Sequence, residues 1–114
     1  MATRLKYVIN YVGNMDDAIK FHEEILALKL RFRSPHWTEF DTGETTLALH
    51  PATAENAAGT CQMGFGVGDL QAFFAQHSAN GVRFVSPPAM VYGQPIAALL
   101  DSDGAGIRVS GDRP

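Results

Sequence analysis

Val12-Gly13-Asn14-Met15 reads as the end of an extended run, a turn, a helix cap and a first helical residue, and Val67-Gly68-Asp69-Leu70 repeats it 55 residues later. The same shift carries His22 onto His77. With one residue of slippage, Ala27-Leu28-Lys29-Leu30 falls on Gly81-Val82-Arg83-Phe84. Farther on, Asp41-Thr42-Gly43 matches Asp101-Ser102-Asp103-Gly104 at an offset of 60, and the extra residues fit a loop around residues 87–94. Identity is low at each point. The same order of features occurring twice in one small chain is the signature of an internal repeat.

Each copy predicts the same elements. An extended run comes first, over residues 6–12 and again over 62–67. Asn14 and Asp69 are capping residues, whose side-chain oxygens accept from free N–H groups of the first helical turn. Met15, Ala18, Ile19, His22, Ile25 and Leu26 form one stripe at helical spacing; Leu70, Phe73, Phe74 and His77 form the second. Asn80-Gly81 suits a helix C-terminus. Strands are expected over 28–33, 37–41 and 46–50, then over 82–86, 96–100 and 107–110, with Asp/Gly turns at 41–44 and 101–104. The unit is strand, helix and three strands, made twice. The fold class is therefore α+β: one domain, 1–114, of two βαβββ modules at about 1–56 and 57–114.

Composition agrees with one globular domain. The chain has 114 residues, 46% hydrophobic and 18% charged, too few for two separate cores. A net charge of −3 with no basic stripe argues against a nucleic-acid partner. The lone Cys61 excludes an internal disulfide and a cysteine-rich zinc module. No apolar stretch is long enough for a bilayer and no leader pattern opens the chain, so no membrane partner and a cytoplasmic setting are expected.

Four segments carry a resemblance to a known family: Tyr11-Val12-Gly13-Asn14-Met15-Asp16-Asp17-Ala18 with Phe21; Ile25-Leu26-Ala27-Leu28; Asn80-Gly81-Val82-Arg83-Phe84; and Asp101-Ser102-Asp103-Gly104. Together they resemble the vicinal oxygen chelate superfamily, which includes glyoxalases, bleomycin-resistance proteins and extradiol dioxygenases. The resemblance implies paired modules whose sheets curl into a cup with the helices outside. It also implies a homodimer, in which the modules pair either within a chain or between chains.

The resemblance further implies four metal positions, one on the first and last strand of each module. Here they fall on Tyr7, Ala48, Gln62 and Arg108. Alanine has no lone pair, arginine only donates, and neutral tyrosine is a poor ligand. A divalent cation needs several His or carboxylate ligands. No metal and no other cofactor is therefore expected.

Strand alternation predicts the cup lining. Tyr7, Ile9 and Tyr11 share one face of the first strand, leaving Val8, Asn10 and Val12 on the helix side, where Asn10 needs a partner. A turn near Gly43 sets Asp41 opposite Thr46, which puts Trp37, Glu39, Thr46, Ala48 and His50 on the cup side. In the second module Gln62, Gly64, Gly66, Arg108 and Ser110 face the cup, and Met90 and Tyr92 on the loop form a lid or rim. The expected ligand-binding set is Tyr7, Ile9, Tyr11, Trp37, Ala48, Gln62, Gly64, Met90, Tyr92 and Arg108. Arg108 can anchor an anion or pair with Glu39, and Glu39 and His50 are the candidate catalytic acid and base.

Three functions compete. One is a metal-free binder of small aromatic, cationic or anionic ligands, similar to the drug-sequestering branch of the superfamily. The second is a lyase- or isomerase-type enzyme using Glu39 or His50 as base. The third is a structural dimer whose cup is filled by its own side chains. His22 and His77 read as packed helix residues, His36 as a surface residue, and Cys61 as a structural thiol.

Overall fold

The computed structural model describes residues 3–112. The chain divides into two compact units, residues 6–62 and residues 63–112 with 3–5. Each unit contains a βαβββ module.

The first module runs β1 (Arg4–Val12), α1 (Met15–Glu24), β2 (Lys29–Phe32), β3 (Thr38–Asp41) and β4 (Thr46–Pro51). Its strand order is β2-β3-β4-β1, with β1 parallel to β4 and the other pairs antiparallel. Asn14 caps α1, its Oδ1 accepting from the Asp17 N–H at 2.9 Å. The turn after β3 is tied by Asp41 Oδ1, which accepts from the Gly43 N–H at 3.0 Å, and Asp41 stands opposite Thr46 as expected.

Two apolar layers lie on opposite faces of this sheet. On the helix side, Val12, Ile19, Phe40 and Leu49 are buried, with Met15, Ala18, Leu28, Leu30 and Leu47 packed around them. His22 belongs to this layer: its Nδ1 donates to the Ala18 carbonyl at 2.7 Å and its ring stacks on Phe40 at 5.6 Å. On the other face Tyr7, Ile9, Tyr11 and Ala48 are buried, with Trp37 against them. Asn10 finds its helix-side partner in Cys61, whose Sγ lies 3.9 Å from Oδ1.

The helical stripe does not reach Ile25 and Leu26, because α1 ends at Glu24 and both side chains are more than half exposed. The chain leaves the helix through Ala27 at φ +54°, and the Leu28 N–H returns to the His22 carbonyl at 3.1 Å. That left-handed turn swings Leu28 back to the core and leaves Ile25 and Leu26 outside. A Cβ makes such a conformation costly, and glycine relieves it. Ala27→Gly is expected to stabilise the protein by about 0.5–1 kcal/mol, the strain relieved exceeding the added unfolded-state entropy. A thermal melt should show a rise of a few degrees; a fall would mean that the turn carries no strain.

The second module runs β5 (Cys61–Gly66), α2 (Leu70–Ala79), β6 (Phe84–Val91), β7 (Gln94–Leu100) and β8 (Gly106–Ser110). Its order, β5-β8-β7-β6 with β5 parallel to β8, reproduces that of the first. Asp69 caps α2 through the Ala72 N–H at 3.0 Å. Gly81, at φ +91°, closes the helix, and the Val82 N–H reaches the His77 carbonyl at 3.0 Å. Asp101 Oδ1 accepts from the N–H groups of Asp103 and Ala105, both at 2.9 Å. The core is Val67, Leu70, Ala97, Leu99 and Val109, and both Phe73 and Phe74 meet Phe84 edge-on.

The expected loop over 87–94 is instead a hairpin. β6 runs through Pro87 and Pro88, and Tyr92-Gly93 makes the turn with both residues at positive φ. A strand tolerates two prolines here because β6 is the outermost of its module and its register slips between Phe84 and Ala89. Met90 is thus a strand residue paired with Pro95, and Tyr92 is the hairpin tip, 88% exposed, so neither belongs to an irregular lid. No helix among the described residues is long and apolar enough to cross a membrane.

Candidate functional site

The face of the first module opposite α1 gathers most of the expected lining. The β1–β4 and β3–β4 registers place Ile9 and Glu39 beside Ala48 and place Tyr11 beside His50. Alternation then turns Tyr7, Ile9, Tyr11, Glu39, Ala48 and His50 to the same side. Tyr7 and Trp37 meet edge to face at 5.7 Å, Tyr11 and His50 are tilted at 5.2 Å, and Trp37 meets the His50 ring edge-on at 6.3 Å. These rings form one connected cluster.

Burial divides the cluster into a base and a working surface. Ile9 and Ala48 are completely buried and Tyr11 is 1% exposed. The Tyr11 hydroxyl is committed as well, donating to Gln62 Oε1 at 2.7 Å. These residues support the face. Trp37, Glu39, Thr46, His50 and Gln62 are half-buried and carry its open surface.

Glu39 is held from two sides. The Trp37 Nε1–H donates to Oε2 at 2.7 Å, and Arg31 Nε donates to Oε1 at 3.3 Å. Arg31 also donates through Nη2 to the Thr46 hydroxyl. The ion partner of Glu39 is therefore Arg31, a residue absent from the expected site. A signal for it exists in the sequence: pairing Lys29 with Asp41 and counting inward sets residue 31 opposite Glu39. The bulge between Leu30 and Phe32 puts both Arg31 and Phe32 across from that one residue. Both partners are partly exposed, so the pair adds little stability; its effect is to neutralise and orient the carboxylate.

His50 is oriented by its own backbone. Nδ1 lies 2.7 Å from the Pro51 carbonyl, which can only accept, so Nδ1 carries the hydrogen. In the neutral ring Nε2 then bears the lone pair, and it makes no hydrogen bond to any described residue.

The remaining expected residues lie in the second module. Arg108 is half-buried on β8, beside Gly64 of β5 and Ala98 of β7, facing away from the Val109 core. Gly64 is buried. Met90 and Tyr92 project from the hairpin end of that module. A separate cleft of about 560 Å³ opens at the start of α1, lined by Gly13, Asn14, Asp16, Arg33 and Pro35 among others, and none of the clustered rings lines it.

The four positions that the resemblance gives to a chelate offer few donor atoms. The Tyr7 ring is buried edge-on against Trp37, Ala48 offers no donor atom, Gln62 Oε1 accepts from Tyr11, and Arg108 presents a cation. Among the described residues no group of three His, Cys, Asp or Glu side chains gathers to hold a metal ion. This donor set does not fit a divalent cation.

Comparison with known proteins follows the same lines. The sequence model of the Glyoxalase/Bleomycin resistance protein/Dioxygenase superfamily matches residues 4–109. An uncharacterized protein of Mycolicibacterium smegmatis is 29% identical over 104 residues, covering 90% of this chain and 89% of that one. Among solved structures, a hypothetical protein from Bacillus halodurans superposes with a TM-score of 0.83 at 16% identity, over 100% of this chain and 97% of that one. Methylmalonyl-CoA epimerase from Mycobacterium tuberculosis superposes with a TM-score of 0.79 at 18% identity, over 96% and 88%. At such identities the likeness is one of fold.

Proposed function

We propose a metal-free ligand-binding role for this chain, which belongs to the Glyoxalase/Bleomycin resistance protein/Dioxygenase superfamily. The aromatic face of the first module takes a small planar organic molecule, and a homodimer provides two such sites. One observation carries the reading: Trp37 and His50 stay half open above a sealed base of Ile9, Tyr11 and Ala48, the last at a position that the resemblance gives to a chelate donor. Apolar walls with a few fixed polar groups are the usual design of a small-molecule site. The partner is a small molecule, neither nucleic acid nor membrane.

Two measurements test this. Thermal melts against a panel of planar aromatic compounds should find ligands that raise the melting temperature, since saturation at 100 times Kd adds about 2.7 kcal/mol. Elemental analysis after exposure to Ni, Zn, Fe and Mn should find less than about 0.1 metal per chain, because tight binding needs a set of deprotonated ligands. A stoichiometric metal, or a panel without effect, would overturn the reading.

A lyase- or isomerase-type enzyme is the second reading, favoured by the geometry of His50. A histidine with Nδ1–H held by a carbonyl has Nε2 available as a general base. Glu39, already bound by Arg31 and Trp37, is the weaker candidate. The M. tuberculosis structure similar in fold is named for an epimerisation. Catalysed exchange of a carbon-bound proton with solvent deuterium, lost in His50→Ala, would favour this reading over simple binding.

A further inference from the structure

We infer that the site selects neutral planar ligands bearing an O–H or N–H donor, such as phenols and azoles, and that His50 Nε2 is the atom that reads the donor. The inference rests on the binding role proposed above and adds a ligand class and a specificity residue to it.

Three features of the face lead there. The open polar groups are not equivalent. Glu39 has one oxygen taken by Trp37 and the other by Arg31, whose charge opposes its own. A cationic ligand would therefore meet a neutralised pair and would gain little attraction. Gln62 Oε1 already accepts from Tyr11, and the Thr46 hydroxyl already accepts from Arg31. His50 differs from all of these. Its Nδ1–H is fixed on the Pro51 carbonyl, so its tautomer is set and Nε2 is left as an acceptor.

The second feature is the position of that ring. Tyr11 and Trp37 both contact the His50 ring, at 5.2 and 6.3 Å between centroids, and it is half-buried. A planar ligand against the open side of Trp37 is thus brought beside the one acceptor among these groups that makes no hydrogen bond to a described residue. The third is burial. A partly desolvated acceptor penalises any occupant that covers it without supplying a hydrogen. Sites built to hydrogen-bond a substrate hydroxyl reject the analogue lacking it far more strongly than apolar pockets reject a missing methylene.

The test pairs two ligands with two proteins. 4-Cyanophenol carries the donor, and 4-methoxybenzonitrile has the same ring and nitrile with the hydrogen replaced by methyl. Trp37 is the only tryptophan, so its indole N–H gives a single resonance that reports from the site. Titrations followed at that resonance should give wild-type protein a preference of about tenfold for the phenol, or ~1.4 kcal/mol. His50→Phe keeps a ring and removes Nε2; it should bind both compounds alike, at the affinity wild type shows for the ether. His50→Gln, which retains an acceptor oxygen and guards against a folding defect in the phenylalanine variant, should keep part of the preference. Equal binding of both compounds by wild type, or a preference surviving in His50→Phe, overturns the assignment of Nε2 while leaving the aromatic face as a binding site. Failure of both compounds to move the Trp37 signal removes the binding role and this inference with it.

Discussion

Ala48→Glu is expected to unfold the protein or to cost it at least about 3 kcal/mol, although it places a carboxylate at a position that the sequence resemblance assigns to a metal ligand. Ala48 is completely buried beneath Tyr7, Ile9 and Tyr11, with Trp37 over the same cluster. The new side chain would have to displace those rings and leave a charge in an apolar layer. Overpacking costs about 1–3 kcal/mol and an unpaired buried charge costs more. Ala48→Gln separates the two effects, since it has similar bulk and no charge, and it should be the milder substitution. Soluble yield, melting temperature and metal content of the glutamate variant are the measurements. A variant that folds within a few degrees of wild type and binds Ni or Zn would show that the position is a chelate slot with room to spare. The expected loss would show that position 48 has become packing and that this substitution does not restore a metal centre.

Phe40→Ala is expected to cost about 3–5 kcal/mol, a large share of the 5–15 kcal/mol that holds a typical domain. Phe40 is completely buried, packed with Val12, Ile19 and Leu49 and stacked on the His22 ring. Removing the ring opens a cavity between α1 and the sheet and strips His22 of its packing partner. Phe32, on the neighbouring strand, is 52% exposed, and Phe32→Ala should change stability by well under 1 kcal/mol. Chemical denaturation of the two variants measures the contrast. Similar losses at both positions would mean that the helix-side layer does not hold the first module together.

Local rules made much of this fold legible. The caps at Asn14 and Asp69, the helix end at Gly81 and the Asp turns at 41 and 101 form as the sequence predicts, because each is a local bond, by a side chain at the Asn and Asp positions and by backbone N–H groups at Gly81, to backbone a few residues away. Alternation also placed Tyr7, Ile9, Tyr11, Glu39, Ala48 and His50 on one face, since a strand in a fixed register leaves no other choice. Other features depend on which strand is outermost and how a helix leaves the sheet. The strand through Pro87 and Pro88 is permitted by its edge position, and the exposure of Ile25 and Leu26 follows from the left-handed turn at Ala27. The repeat offset reads the first segment as a loop, and helical spacing reads the second as part of the buried stripe.

The candidate site divides along the same line. Residue identity determined that Tyr7, Ala48, Gln62 and Arg108 are a poor set of metal donors, because donor chemistry belongs to the side chain wherever it sits. The repeat determined that the chain builds its module twice. Tertiary structure decided how the donors and acceptors are distributed. It gave Glu39 to Arg31 and Trp37, gave the Tyr11 hydroxyl to Gln62, and turned His50 Nδ1 to a backbone carbonyl. A hydrogen bond depends on distances of a few tenths of an ångström, and only the folded chain sets those distances, whether the partners are adjacent, as His50 and Pro51, or 51 residues apart, as Tyr11 and Gln62.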